Sequence, residues 1–124
     1  MSKFQLRIVG NACTEKIFLL SNEGKQTFGR EKSCDHWIAD PFVSRRQFEV
    51  MPRMFTVQNS SVLAHLIVDL NSQHETRLNG VPIETATLCC GDTVQIGITR
   101  MMYERASQCN KIYRLAKLKF TIAR

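Results

Sequence analysis

No apolar run in this chain approaches the roughly eighteen residues that a membrane-spanning helix requires. The opening Met1-Ser2-Lys3-Phe4-Gln5-Leu6-Arg7 lacks the apolar core of a signal peptide. Proline and glycine are scarce, three and six in 124 residues, which excludes a collagenous or low-complexity chain. Cysteine makes a poor disulfide framework, because the count is odd at five and Cys89 adjoins Cys90. A reducing intracellular compartment, nucleus or cytoplasm, is therefore expected. Neither Cys34 with His36 nor Cys89 with Cys90 has the two-residue gap typical of zinc ligands, so no metal is expected and the thiols read as small buried hydrophobes. No nucleophile motif is visible. Phe28-Gly29-Arg30-Glu31 lacks the glycines and lysine of a nucleotide phosphate loop. The chain is accordingly expected to be no enzyme and to need no cofactor.

What is present is a set of short strands. At 124 residues the chain has the length of one domain with a real hydrophobic core. Phe4, Leu6 and Ile8 alternate with Lys3, Gln5 and Arg7, the period of two of a half-buried strand. Ile17 to Leu20 forms a second candidate, closed by the turn signal Ser21-Asn22-Glu23-Gly24, and Lys25 to Phe28 a third. Further candidates are Phe48-Glu49-Val50 and Phe55-Thr56-Val57, split by Pro52-Arg53, and then Leu66-Ile67-Val68 after Asn59-Ser60-Ser61. Asn79-Gly80 signals a two-residue hairpin, whose two central positions need positive φ. After Gly91-Asp92, Thr93 to Ile98 alternates again. No long amphipathic helix precedes residue 105, and this pattern predicts an all-β sandwich. Ala116 to Ile122 reads as an extra strand, although Ile112, Leu115 and Leu118 would also line a short helix.

The charge is uneven. Residues 1–99 hold ten Lys/Arg against ten Asp/Glu, whereas residues 100–124 hold seven against one, so the whole excess of +6 lies at the end. A solvated basic edge is the simpler reading of such a run. Contact with nucleic acid or an acidic partner is the sharper one.

Two segments carry the candidate chemistry. The first, Phe28 to Arg46, contains Gly29-Arg30, Cys34-Asp35, Asp40-Pro41 and Val43-Ser44-Arg45; the second, Asp69 to Gly80, contains Asp69-Leu70-Asn71-Ser72, Thr76 and Asn79-Gly80. Both are turn-rich, and such stretches present polar groups outward. Two arginines and a hydroxyl suit a phosphate dianion, whose oxygens accept paired N–H donors from a guanidinium.

In this order and spacing, with Gly91-Asp92 and Ile96-Gly97 beyond them, the motifs resemble the signature of the forkhead-associated (FHA) domain across residues 4–106. The resemblance implies an eleven-stranded sandwich whose loops at one end bind phosphothreonine segments of partner proteins. It divides the chain into an FHA domain, 1–106, and a basic extension, 107–124. Arg30 would grip the phosphate, Ser44 would donate to it, and Arg45 would assist. Gln73 and His74 would touch the peptide beside the phosphate, while Gly29, Gln47, Thr76, Asn79 and Gly80 would serve as framework.

Four positions depart from the family pattern. Gln47 stands where a structural histidine is usual, and a glutamine can still donate and accept there. Gln73-His74-Glu75 replaces the usual Thr-Asn-Gly, which alters the peptide clamp and brings a carboxylate near a site for a dianion. Two readings stay open on the sequence: a phosphothreonine reader, or a degenerate FHA fold serving as a phospho-independent structural or oligomerisation module. Oligomeric state is not legible.

Overall fold

The structure, a computed structural model, describes residues 3–10 and 16–106. It contains eleven strands and no helix among the described residues: β1 (Phe4–Val9), β2 (Ile17–Leu20), β3 (Gln26–Gly29), β4 (His36–Trp37), β5 (Phe48–Val57), β6 (Ser60–Asp69), β7 (Arg77–Leu78), β8 (Val81–Pro82), β9 (Thr85–Leu88), β10 (Thr93–Ile96) and β11 (Thr99–Arg105). They form a six-stranded sheet, β2-β1-β11-β10-β7-β8, and a five-stranded sheet, β4-β3-β5-β6-β9. One buried cluster draws on both sheets, with Leu6, Leu78, Val94, Ile96 and Met101 from the first and Phe28, Phe48, Val50, Ile67 and Leu88 from the second. The sandwich expected from strand spacing is what the chain builds. Each such fully buried apolar side chain contributes about 1.5–3 kcal/mol, and Phe28 stacks on Phe48 at a 4.7 Å ring separation.

Period-two patterning governs the short strands. In β2, Phe18 and Leu20 face the core while Ile17 and Leu19 face out. The β7–β8 hairpin turns at Asn79-Gly80 with φ of 51° and 85°, as that dipeptide predicts.

Three strand boundaries differ from expectation. β5 runs unbroken through Pro52, which pairs in register with His65 of β6. The other neighbour, β3, stops pairing at Val50, so beyond that point β5 has one open flank, where a proline is tolerated. The β5–β6 turn is formed by Gln58 and Asn59, both at positive φ, rather than by Asn59-Ser60-Ser61. In turn, β10 ends at Ile96, because Gly97 adopts positive φ and leaves Ile98 73% exposed at the turn into β11. The expected strand or helix at 112–122, and the whole 107–124 extension, lie outside the described residues.

A polar column crosses the β1–β11 pair. Glu104, almost fully buried, accepts from Gln5 Nε2 at 2.7 Å and from Arg7 Nε at 2.8 Å. His65 is fully buried between Ser21 and Tyr103, with Nε2 3.1 Å from the Ser21 carbonyl and Nδ1 2.8 Å from the Tyr103 hydroxyl. The carbonyl can only accept, so Nε2 carries the proton and Nδ1 accepts from Tyr103.

Candidate functional site

The candidate residues converge on loops at one end of the sandwich. The β3–β4 loop starts at Arg30 and the β4–β5 loop runs to Gln47. The β6–β7 loop spans Leu70 to Thr76, and Gly97-Ile98 turns β10 into β11.

The first two loops are fused through their backbones. Arg30 N donates to the Ser44 carbonyl at 3.0 Å, Glu31 N to the Arg45 carbonyl at 3.1 Å, and the Cys34 thiol to that same carbonyl at 3.2 Å. This closeness explains Gly29: a β-carbon there would sit 2.0 Å from the Arg45 carbonyl oxygen, a contact no side chain can make.

Arg30 is exposed and donates from Nε to the Val43 carbonyl at 2.9 Å. That bond fixes the guanidinium plane and leaves the Nη1–Nη2 edge without a hydrogen-bond partner among the described residues. Ser44 Oγ accepts from Gln73 N at 2.9 Å, so its own proton remains to donate outward. The structure thus brings Arg30 and Ser44 together as the motif predicts. Arg45 belongs to the same loop by its backbone, while its side chain stands exposed with no hydrogen bond among the described residues.

Gln47, fully buried, holds the loops in register. Its Oε1 accepts from Ser44 N at 2.9 Å, and its Nε2 donates to the His74 carbonyl at 2.8 Å and to Thr76 Oγ1 at 3.1 Å. An amide can hold an acceptor and two donors at once, which suits this junction. Thr76, also fully buried, passes its own proton to Asp69 Oδ1 at 2.6 Å. Asn79 secures the far side of the loop, donating to Asp92 and accepting from Thr93 N.

Beside Ser44 lies an open cleft of about 520 Å³, lined by Phe42, Gln73, His74, Glu75, Arg77, Gln95, Gly97 and Ile98. Both expected peptide-contacting residues, Gln73 and His74, are on its wall. Glu75 pairs with Arg77 at 3.0 Å, so its charge is matched by a cation on the same wall.

Asp40 was not singled out by sequence reasoning as a site residue. It is 2% exposed and accepts from Phe42 N, Ile98 N and Thr99 Oγ1, at 2.9, 3.0 and 2.7 Å. One carboxylate thereby ties the β4–β5 loop to the β10–β11 turn, and Gly97 is required because a β-carbon there would meet Asp40 Oδ2 at 2.7 Å. The signal was limited to the Asp40-Pro41 spacing. On the rim, Asp35 accepts from Thr27 N and Oγ1, and the Thr27 N–H chiefly holds its carboxyl below the usual range. No group of three or more His, Cys, Asp or Glu among the described residues is placed to hold a metal. Cys34 is buried, whereas Cys89 and Cys90 are only half-buried.

Two facing β-sheets with a cross-braced cluster of loops at one end define a β-sandwich of the loop-bearing kind. The chain belongs to the FHA domain family, whose profile matches residues 26–97. It is 35% identical over 75 residues to the glycogen accumulation regulator GarA of Mycobacterium tuberculosis and, equally, to an uncharacterized protein of Mycobacterium bovis. Each match covers 60% of this chain and 41% of the relative, so the similarity spans about two fifths of those proteins. Among solved structures, the FHA domain of yeast Dun1 in complex with a doubly phosphorylated (pT) peptide matches with a TM-score of 0.71 at 23% identity, covering 86% of this chain and 77% of that one. The FHA domain of CT664 from Chlamydia trachomatis matches with a TM-score of 0.70 at 21% identity, covering 85% and 99%. The FhaA FHA domain, complexed with the intracellular domain of a partner protein, matches with a TM-score of 0.65 at 25% identity, covering 84% and 100%.

Proposed function

We propose that this domain binds phosphothreonine-bearing segments of partner proteins and carries out no catalysis of its own, with residues 1–106 as the binding unit. The observation that carries this reading is the pairing of Arg30 with Ser44. Arg30 presents the Nη1–Nη2 edge of a guanidinium whose Nε is already held by the Val43 carbonyl, and Ser44 keeps a hydroxyl proton beside it because Oγ accepts from Gln73 N. A phosphate ester carrying close to two charges near neutrality fits between such donors, because its oxygens accept both N–H and O–H. Arg45 adds positive charge from the same loop, and Gln73 and His74 line the cleft that would take the flanking peptide. The Dun1 complex with a doubly phosphorylated (pT) peptide supports the ligand class.

A titration of otherwise identical threonine, phosphothreonine and phosphoserine peptides, drawn from a degenerate library, tests the reading. Binding only after phosphorylation is expected. One methyl in an apolar niche contributes about 0.8 kcal/mol, so threonine should lead serine by roughly fourfold. Equal binding of phosphorylated and unphosphorylated peptides would instead assign the fold to a phospho-independent structural role.

A further inference from the structure

Next to the Arg30 loop, a second cationic feature is built around Trp37, the only tryptophan of the chain. Its indole Nε1 donates to the Arg30 carbonyl at 2.9 Å, which fixes the ring against the residue that carries the candidate phosphate grip. Two ammonium groups share that ring: Lys16 Nζ stands 5.6 Å and Lys32 Nζ 5.3 Å from its centroid. Lys16 also lies 5.2 Å from the Phe18 ring, so its side chain is held from two directions.

The nearby carboxylates are engaged elsewhere. Glu31 accepts from Ser33 Oγ at 2.7 Å, and Asp35 from Thr27. The ion pairs Arg7–Glu104, Lys25–Glu49 and Arg77–Glu75 involve none of Lys16, Lys32, Arg30 or Arg45. Two ammonium groups over one ring beside the Arg30 loop make a locally positive feature that attracts an anion. Because the ring already restrains both lysine stems, less side-chain freedom is lost on binding than at an ordinary surface lysine.

We infer that the Lys16–Trp37–Lys32 platform is a second anion subsite, taking another negatively charged group of the same partner segment whose phosphothreonine sits at Arg30 and Ser44. The inference rests on the proposed phosphothreonine reading and deepens it: the preferred segment is doubly anionic. The subsite recognises charge, which a second phosphate or a cluster of acidic side chains can each supply.

The test uses the whole chain and four peptide sets sharing one phosphothreonine: neutral flanks, a second phosphothreonine, a run of glutamates, and the glutamate run with glutamine in its place. Sets are made with the added group on either side. At low salt, a second phosphate should tighten binding about tenfold over neutral flanks and glutamates about threefold, both gains shrinking as salt screens the exposed charges. Trp37 emission should shift with the doubly anionic peptides and not with the neutral-flank one. In the Lys16→Gln/Lys32→Gln double variant, whose altered side chains are exposed, the gain should vanish while affinity for the neutral-flank peptide stays put. A gain that survives the double substitution, or no gain in the native protein, overturns the inference while the phosphothreonine reading stands. If the neutral-flank peptide fails to bind in a phosphate-dependent way, both fall. Equal gains for a duplex DNA probe, lost in the same double variant, would reassign the platform to nucleic acid and overturn the proposal for a peptide.

Discussion

The side-chain amide of Gln47 donates to the backbone carbonyl of His74 at 2.8 Å, bridging twenty-seven residues of sequence and joining the loop that holds Ser44 to the loop that holds Gln73. Binding geometry at this end of the sandwich therefore depends on a buried polar contact as much as on the exposed groups that would meet a ligand.

Replacing Gln47 by leucine keeps the volume and removes all three of its hydrogen bonds, to Ser44 N, the His74 carbonyl and Thr76 Oγ1. The His74 carbonyl still accepts from Ser72 Oγ and Thr76 Oγ1 still donates to Asp69, so the Ser44 N–H is the group left without a partner. Such a group costs about 1–3 kcal/mol and each bond merely lost about 1 kcal/mol, so Gln47→Leu should lower unfolding stability by roughly 3 kcal/mol. Urea denaturation measures this. Phosphopeptide affinity should fall as well, because Ser44 and Gln73 lose their common anchor. Wild-type stability and affinity in the variant would show that the bridge is incidental.

Gly29 offers a sharper steric case. An added β-carbon would lie 2.0 Å from the Arg45 carbonyl oxygen, which is backbone and cannot swing aside. Forcing extra volume into a filled site costs about 1–3 kcal/mol and more where backbone must move. Gly29→Ala should reach or exceed the upper end of that range and separate the Arg30 and Ser44 loops. Thermal denaturation and a phosphopeptide titration on the same sample check both effects, and an unchanged melting temperature would contradict the packing described.

The pH response of stability should follow the histidines. Burial lowers the pKa of His65 from its ordinary value of 6.5, and burial likewise lowers that of His36, which packs on Phe28. The unfolded chain takes up these protons near pH 6.5 and the folded chain only below it. Stability is thus fully present above about pH 6.5 and is lost as pH falls through the lower folded values. Urea midpoints at pH 7.5 and 5.5 should differ in that direction. Tyr103→Phe removes the hydroxyl that donates to His65 Nδ1, so it should cost about 1–2 kcal/mol at pH 7.5 and flatten the decline. A native protein equally stable at both pH values would contradict the neutral His65.

Much of this arrangement was legible in the sequence, and for physical reasons. β2 buries alternate residues, so its period of two is plain. In β1, Phe4 and Leu6 enter the core while Gln5 between them is buried against Glu104, and Asn79-Gly80 turns because both positions favour positive φ. Arg30, Ser44 and Gln47 were legible through motif spacing, and the structure places them within hydrogen-bonding reach of common partners. β4, two residues long and paired in parallel with β3, is too short to show any period. Pro52 appeared to break a strand because its open flank depends on where β3 stops, which is a property of the sheet and not of the local sequence. Asp40 finds Ile98 and Thr99 fifty-eight and fifty-nine residues away, a pairing that no local pattern encodes. Trp37 and its two lysines were likewise invisible, since only the fold brings Lys16, just before β2, and Lys32, in the β3–β4 loop, over the one indole.

The most direct test of the phosphothreonine reading is calorimetric titration of one phosphothreonine peptide into the native protein and into Arg30→Ala. Charge-assisted hydrogen bonds contribute about 1.5–3 kcal/mol each, and the Nη1–Nη2 edge supplies two. The account predicts a loss of affinity on the order of a hundredfold or more, with the urea midpoint nearly unchanged because Arg30 is exposed. An Arg30→Ala protein that is folded and binds the peptide as tightly as the native chain would contradict it.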